Sequence, residues 1–134
     1  MTDAARVLRD VFGYGEFRPG QAEVIASVLS RKDTLAVMPT GGGKSVCYQV
    51  PALLNPNGLT LVVSPLLALM KDQVDSMRAM GVSAAAINST VPVDEQRQIL
   101  AEAGEGSIRL LYVAPERFGA AGFMACLLYT SRCV

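Results

Sequence analysis

One stretch of this chain constrains its fold more than any other. An apolar run at residues 35–38 leads into three consecutive glycines at 41–43, then Lys44 and Ser45, and the next residues favour a helix start. A strand, a glycine loop and a helix N-terminus together form the arrangement that holds nucleotide phosphates, because glycines let several N–H groups turn inward. The stretch departs from the usual phosphate-loop pattern at one position, where Met38 replaces the first glycine.

The residues of this loop predict distinct roles in holding a nucleotide. The Lys44 ammonium can reach the outer phosphates, and the Ser45 hydroxyl is suited to ligating Mg²⁺. A Gly-Gly-Gly-Lys-Ser turn has little structural reason to exist otherwise, which favours the functional interpretation. The residues predicted to bind the nucleotide here are Thr40, Gly41, Gly42, Gly43, Lys44 and Ser45.

Apolar periodicity predicts four strands alternating with helices. The strands are predicted at residues 34–38, 59–63, 82–87 and 108–113. This alternation predicts an α/β fold with a parallel sheet and right-handed crossovers. Ligands of such sheets lie beyond the carboxyl ends of the strands. The loops expected at that edge are residues 39–45, 64–65, 88–90 and 114–118.

Prolines and a serine predict where the helices begin or bend. Pro19 suits the first turn of the second helix, and Pro51 predicts a kink or an early end of the helix that starts at Lys44. Ser64 is expected at the N-cap of the next helix, with Pro65 at its first position.

Composition limits the classes to which the chain can belong. Its 134 residues suit one domain or a piece of one, and 51% hydrophobic content is typical of buried parallel strands. The absence of histidine excludes histidine-based catalysis, and three cysteines without a Cys-x-x-Cys pair argue against a disulfide framework or zinc site. A formal charge of zero counts against indiscriminate nucleic-acid binding. Without a signal pattern or a membrane-spanning run, a cytoplasmic location is expected.

Four motifs follow one another along residues 2–118. They are residues 12–14 with 17–21, the loop at 38–45 continued by 47–49, residues 63–66 with 69–74, and residues 111–118. In this order they resemble the adenine-sensing motif, the ATP-binding motif, motif Ia and motif Ib of RecQ family ATP-dependent DNA helicases. That family reads Met-Pro-Thr-Gly-Gly-Gly-Lys-Ser at the loop, so the resemblance accounts for Met38.

The resemblance implies an adenine site upstream of the loop. Gln21 carries a donor and an acceptor on one amide, which suits the N6 and N7 edge of adenine. By resemblance Gln21 reads the base, Tyr14 stacks on it, and Arg18 supports the site. The plainer alternative is a solvated helix glutamine and a packed tyrosine. Lys44 is by the same resemblance the catalytic lysine.

The resemblance also implies contacts to the DNA backbone from two loops. The residues concerned are Ser64, Asn88, Ser89 and Thr90. Each has a plainer interpretation, since serine caps helices and Asn-Ser-Thr is an ordinary turn sequence.

The resemblance ends at Phe118. Members of the family continue to a strand ending in Asp-Glu-x-His, which this chain lacks. Residues 119–134 resemble the translated end of a sequencing adapter and are expected to be a non-native tail. The predicted organisation is therefore N-terminal helices with the adenine-sensing motif at 1–33 and a RecA-like phosphate-loop NTPase domain at 34–118, truncated before the Asp-Glu-x-His strand.

The resemblance implies a parent protein that is an ATP-dependent 3′–5′ DNA helicase of repair and recombination. Its cofactors would be ATP and Mg²⁺, and its partner single-stranded or partly duplex DNA, with no membrane involved. Without the acidic pair and a second RecA-like domain, the present chain is expected to bind ATP weakly at best and not to unwind DNA. Two alternatives stay open: another phosphate-loop NTPase, and a non-catalytic nucleic-acid-binding module that keeps the loop as a relic.

Overall fold

A computed structural model describes residues 2–39, 43–55 and 58–119 of the chain. By their contacts the residues divide into two units, Met1–Pro56 and Asn57–Val134. The described part of the first unit is helical, and that of the second is a parallel sheet with helices. Among the described residues, no helix combines the length and apolarity that crossing a membrane requires. The domain boundary predicted between residues 33 and 34 stays a prediction.

The first unit contains helices α1 (Asp3–Phe12), α2 (Gln21–Leu29) and α3 (Lys44–Leu53). The Thr2 hydroxyl caps α1 by accepting a 3.1 Å hydrogen bond from the Ala5 N–H, and Gly13 ends the helix with a φ of 76°. The three helices share a small apolar core. Its buried members are Leu8, Ile25, Val46 and Val50.

The predicted strand at residues 34–38 is wrong for this structure. Residues 32–39 have no regular secondary structure, and Leu35 and Val37 are 92% and 91% exposed. A short apolar run gives a segment the propensity for a strand, but a strand forms only when a neighbour takes up its backbone hydrogen bonds. No strand of the described residues pairs with this segment.

Two prolines of the first unit bear on the predicted helix bounds: Pro19 lies differently from the prediction, whereas α3 ends soon after Pro51, as predicted. Pro19 stands in the turn before α2 and not inside its first turn, because Gly20 serves as the N-cap with a φ of 88°. Pro51 lies within α3, and the helix continues to Leu53 before it ends. Since Pro51 is close to the C-terminal end, the missing N–H removes only one of the last intrahelical bonds.

The second unit alternates strands and helices. Its elements are β1 (Thr60–Val63), α4 (Leu67–Ala79), β2 (Ala84–Ile87), α5 (Val93–Gly104), β3 (Leu110–Val113) and a 3₁₀ helix (Pro115–Gly119). All strand pairs are parallel, in the order β1-β3-β2. The central strand β3 is buried along its whole length. The prediction of a parallel α/β sheet is therefore confirmed, with three strands among the described residues where four were expected.

Ser64 does not cap α4 as the sequence predicts. The helix begins at Leu67, and its N-cap residue Leu66 makes no side-chain capping bond. The Ser64 hydroxyl instead accepts the Leu66 N–H at 3.3 Å, within the turn before the helix. The reason is that the Ser64 N–H still donates to the Val113 carbonyl at 3.1 Å, which holds Ser64 in line with the sheet.

The core of the first unit can be tested with two substitutions in the same helix. Ile25 is 1% exposed, so Ile25→Ala is expected to lower the free energy of unfolding by about 2–5 kcal/mol. Leu29, at 44% exposed, provides the control, and Leu29→Ala should stay within about 0.5 kcal/mol of the parent. Urea unfolding followed by far-UV circular dichroism measures both. Equal losses for the two variants would contradict the packing described.

Candidate functional site

A cleft of about 890 Å³ lies within the first unit. It is formed by the turn after α1, the segment that leads into α2, and the first turn of α3. The lining residues are Gly13, Tyr14, Gly15, Glu16, Arg18, Gln21, Gly43 and Val46. The structure thus brings the upstream motif and the end of the glycine loop into a single cavity.

Gln21 is the polar side chain that joins these two motifs. It is 3% exposed, although it is the first residue of α2. Its Oε1 accepts the backbone N–H of Arg18 at 2.8 Å, and its Nε2 donates to the carbonyl oxygen of Gly43 at 2.9 Å. Both ends of the amide are therefore engaged by backbone. The two bonds together fix which end is oxygen and which is nitrogen, because an inverted amide would face an acceptor with an acceptor.

Gly43 must be a glycine for two reasons that this structure shows. Its φ is 76°, in the left-handed region that residues with a Cβ adopt at a cost. A Cβ built on its backbone would also overlap Gln21 Nε2, and would lie 3.6 Å from the Cδ of Arg18. The space that a side chain would fill is therefore already taken by the Gln21 amide.

Tyr14 and Arg18 border the same cleft. Tyr14 is 53% exposed, so its ring is available for stacking and is not packed in a core. Arg18 contributes its backbone N–H to Gln21, and its aliphatic stem runs beside Gly43. Glu16 also lines the cleft, a residue that the sequence analysis did not single out.

The N-terminus of α3 borders the cleft and carries two residues predicted to contact phosphate and Mg²⁺. Lys44 and Ser45 are its first two residues, with Lys44 exposed and Ser45 half-buried. The first N–H groups of a helix have no acceptor within the helix, and they favour the binding of an anion. Thr40, Gly41 and Gly42, also predicted to bind the nucleotide, lie outside the described residues.

Behind the loop, Met38 packs on α3. Its sulfur accepts the Cys47 thiol at 3.8 Å, and burial raises the pKa of Cys47. The thiol therefore stays protonated at neutral pH and serves as a packing group. Met38, the residue that departs from the usual loop pattern, thus has a packing partner in the helix that follows the loop.

The described residues could bind a metal ion only together with a phosphate ligand. They include no group of three or more His, Cys, Asp or Glu side chains that could hold one. Mg²⁺ is commonly bound through few protein oxygens together with water and substrate phosphates. The half-buried Ser45 hydroxyl at the helix start fits that mode of binding.

In the second unit, Asn88 shapes the loop that follows β2. Asn88 is 6% exposed, and its Oδ1 accepts the backbone N–H of Thr90 at 2.9 Å and also the Thr90 hydroxyl. This Asx turn directs Asn88 inward and leaves Ser89 and Thr90 exposed. Ser64 lies half-buried at the end of β1. The DNA contacts predicted for these four residues stay predictions.

Gln96 supports this loop from α5, a role the sequence analysis missed. It is 6% exposed, and its Nε2 donates to the Val91 carbonyl at 2.7 Å and to the Asn88 carbonyl at 3.4 Å. Helical spacing places Gln96 on the same face of its helix as Ile99 and Leu100. A polar residue on an otherwise apolar face, one turn into a helix, was the available signal for a bond to the preceding loop.

Comparison with known proteins gives consistent similarities. The family model of the DEAD/DEAH box helicases matches residues 18–125. The ATP-dependent DNA helicase RecQ of Haemophilus influenzae is 48% identical over 130 residues, which are 97% of this chain and 21% of that protein. RecQ of Synechocystis is 52% identical over 109 residues, 81% of this chain and 23% of the relative. RecQ of Bacillus subtilis is 47% identical over 125 residues, which are 92% of this chain and 21% of that protein.

The chain therefore spans about a fifth of the length of the curated relatives that it matches. Most of the chain takes part in each match. These similarities confirm the resemblance that the four motifs predict.

The inward orientation of Asn88 can be tested against its neighbour. Asn88→Ala removes the acceptor of the Thr90 N–H, and is expected to lower the free energy of unfolding by about 1–3 kcal/mol. Amide exchange at Thr90 should become faster. Ser89→Ala, at an exposed position of the same loop, is the control and should change little. If urea unfolding gives the same small loss for both variants, the Asx turn does not stabilise this loop.

Proposed function

This chain belongs to the DEAD/DEAH box helicase family, and from that premise we propose that it forms the ATP-binding part of an ATP-dependent DNA helicase of the RecQ kind. Its α/β fold is a partial RecA-like domain. The observation that carries the proposal is the bond between Gln21 and Gly43. This bond joins the Gln21 amide to the N-cap residue of α3 at one cleft, which supports a site that takes both the base and the phosphates of ATP.

The cleft has groups suited to each part of ATP. After its two backbone bonds, the Gln21 amide retains one N–H and one lone pair of Oε1, which is what the N7 and N6 positions of adenine require. The exposed Tyr14 ring would stack on the base, with Arg18 beside it. The phosphates would meet the N-terminus of α3, where the Lys44 ammonium stabilises negative charge on the transferred phosphoryl group.

Mg²⁺ would be held at Ser45 together with the phosphates. When bound, the ion neutralises charge on the phosphate oxygens. The role of Ser45 is to hold one coordination position at the helix start, next to the N–H groups of α3. We include Thr40, Gly41 and Gly42 in the same cradle by their place in the motif.

For the second unit we propose a part in DNA binding. Ser64 and the exposed Ser89 follow the carboxyl ends of β1 and β2, where their hydroxyls can donate to backbone phosphates. Thr90 is included by its place in the same loop, since its own hydroxyl donates to Asn88 Oδ1. Asn88 acts by holding that loop in shape. Because the formal net charge is zero, this chain supplies little non-specific attraction for DNA by itself. The whole protein would unwind DNA in the 3′–5′ direction, in repair and recombination.

The 134-residue chain alone is proposed to bind ATP weakly and not to hydrolyse it. Its sequence has no Asp-Glu-x-His, the acidic motif whose aspartate holds the metal ion and whose glutamate orients water in the family it resembles. Parts of such a site act as a unit, so removing one group costs nearly the whole rate. DNA-stimulated ATP hydrolysis by the purified chain would overturn this part of the proposal.

The nucleotide site is tested by removing one lysine at a time. Lys44→Ala is expected to weaken Mg-ATP binding by about tenfold or more, because a charge-assisted contact to phosphate is lost. Lys71→Ala is the control, since it removes the same charge from an exposed ion pair with Asp75 in the second unit. At 14.2 kDa the chain suits ¹⁵N NMR titration, which also measures millimolar dissociation constants. Equal effects of the two substitutions would count against a phosphate site at α3.

A further inference from the structure

The side-chain amide of Asn88 is buried at the end of β2, and both of its ends have a partner. Its Oδ1 accepts the backbone N–H and the hydroxyl of Thr90. Its Nδ2 donates to the sulfur of Met70, a residue of α4, at 3.9 Å. Asn88 is 6% exposed and Met70 is 1% exposed, so water has little access to either partner. The amide therefore connects the loop after β2 to a helix that precedes this strand in the chain.

The backbone bonds of this loop do not set which way the amide faces. The Asn88 carbonyl accepts the Val91 N–H at 3.1 Å and Gln96 Nε2 at 3.4 Å. The preceding carbonyl, of Ile87, accepts the Ala114 N–H at 3.0 Å. These bonds hold the main chain, whereas rotation about the side-chain bonds of Asn88 leaves them intact. The orientation of the amide therefore depends on what its own two ends meet.

The two ends of the amide meet different chemistry. Thr90 directs its N–H at the amide, whereas the Met70 thioether has no hydrogen and can only accept. In an inverted amide the NH₂ group would face the Thr90 N–H, donor against donor, and the oxygen would face the sulfur, acceptor against acceptor. Thr90 and Met70 together therefore select the orientation in which Oδ1 closes the Asx turn.

A second methionine of the same helix provides a matched comparison. Met77 follows Met70 by about two turns, so both side chains lie on one face of α4, and Met77 is 0% exposed. Within the part of the chain that the structure describes, the Met77 sulfur accepts no hydrogen bond. Methionine fills irregular gaps in a core, and this accounts for Met77. At Met70 the sulfur has an additional role, because a buried N–H that lacks an acceptor destabilises the fold.

We propose that Met70 is a positioning residue for the loop at residues 88–90, and that it acts through the Asn88 amide. With the sulfur as its acceptor, the amide keeps its oxygen turned toward Thr90, and the Asx turn presents Ser89 to solvent. Helix α4 thus shapes a loop that belongs to the end of another element. The step from this loop to DNA phosphates rests on the proposed function, whereas the contact between Met70 and Asn88 does not.

The experiment makes one chemical change at two buried positions of α4. Met70→Leu and Met77→Leu both replace methionine by a side chain of similar volume that has no acceptor. Each is also combined with Asn88→Ala, which removes the amide. ¹⁵N NMR of the full 134-residue chain follows the Asn88 NH₂ signals and amide exchange at Thr90. Urea unfolding gives the stabilities, and fluorescence anisotropy of a labelled oligothymidine at low salt gives the DNA affinity.

The expected result is faster amide exchange at Thr90 in Met70→Leu, by about fivefold relative to Met77→Leu, the worth of one hydrogen bond. The Asn88 NH₂ signals should shift in Met70→Leu and stay in place in Met77→Leu. In the Asn88→Ala background, Met70→Leu should destabilise the chain less than in the parent, because no donor is left for a sulfur to accept. Met77→Leu should cost the same in both backgrounds. Oligothymidine should bind less tightly to Met70→Leu than to Met77→Leu.

The parent chain allows a check that requires no substitution. A nuclear Overhauser effect should join the Asn88 NH₂ protons to the Met70 methyl group. If these protons instead show an effect to the Thr90 amide proton and none to Met70, the amide is inverted and the inference is wrong.

The outcomes separate this inference from the proposed function. The positioning role is wrong if Met70→Leu and Met77→Leu give equal exchange at Thr90, or if Met70→Leu costs the same with and without the Asn88 amide, even where the parent binds DNA. If exchange at Thr90 rises in Met70→Leu while parent and variant bind oligothymidine equally, Met70 shapes the loop and the proposed contact of that loop to DNA is wrong. If the parent does not bind oligothymidine, the DNA part of the proposed function fails, and exchange at Thr90 with the Asn88→Ala comparison decides the positioning role.

Discussion

The hydrogen bonds of the Gln21 amide are the constraint on which the candidate site depends. They connect residues 22 positions apart in the chain, one in the motif before α2 and one at the start of α3. A buried amide must have partners, because an unsatisfied polar group inside a protein costs more than a made hydrogen bond gains. The requirement that makes Gln21 bind backbone therefore also brings Tyr14, Arg18 and Gly43 to one cleft.

Elements with local signals could be predicted from the sequence. Helix α5, for example, follows Pro92, carries acidic residues in its first turn where the helix dipole favours them, and ends at Gly104. The predicted bounds of the strands after residue 58 lie within two residues of the observed ones, because β-branched and apolar runs between turns are typical of buried strands. The prediction of a strand at 34–38 is wrong because strand formation depends on pairing with a neighbouring strand, which no local pattern specifies.

The candidate site shows the same difference between what local patterns predict and what tertiary contacts decide. The resemblance named Gln21, Tyr14 and Arg18, and the structure places them together at the cleft. It did not reveal that both ends of the Gln21 amide bind backbone, since the partners lie on separate segments. Asn88 shows the same limit, because a turn sequence does not tell whether its amide faces solvent or, as here, the Thr90 backbone. The bond from Gln96 to that loop depends on the packing of α5 against β2, which is a tertiary property.

The register of the sheet has a consequence for anything that binds along its edge. Val63, Val113 and Ile87 are aligned across the three strands, so the loops after β1 and β2 leave the sheet at one level. Neighbouring strands are about 4.8 Å apart, which separates those two exits by about 10 Å with β3 between them. A polymer that contacts Ser64 and Thr90 together must therefore lie across the strands and not along them. If DNA binds as proposed, the strand order would set its axis before any side chain selects its chemistry.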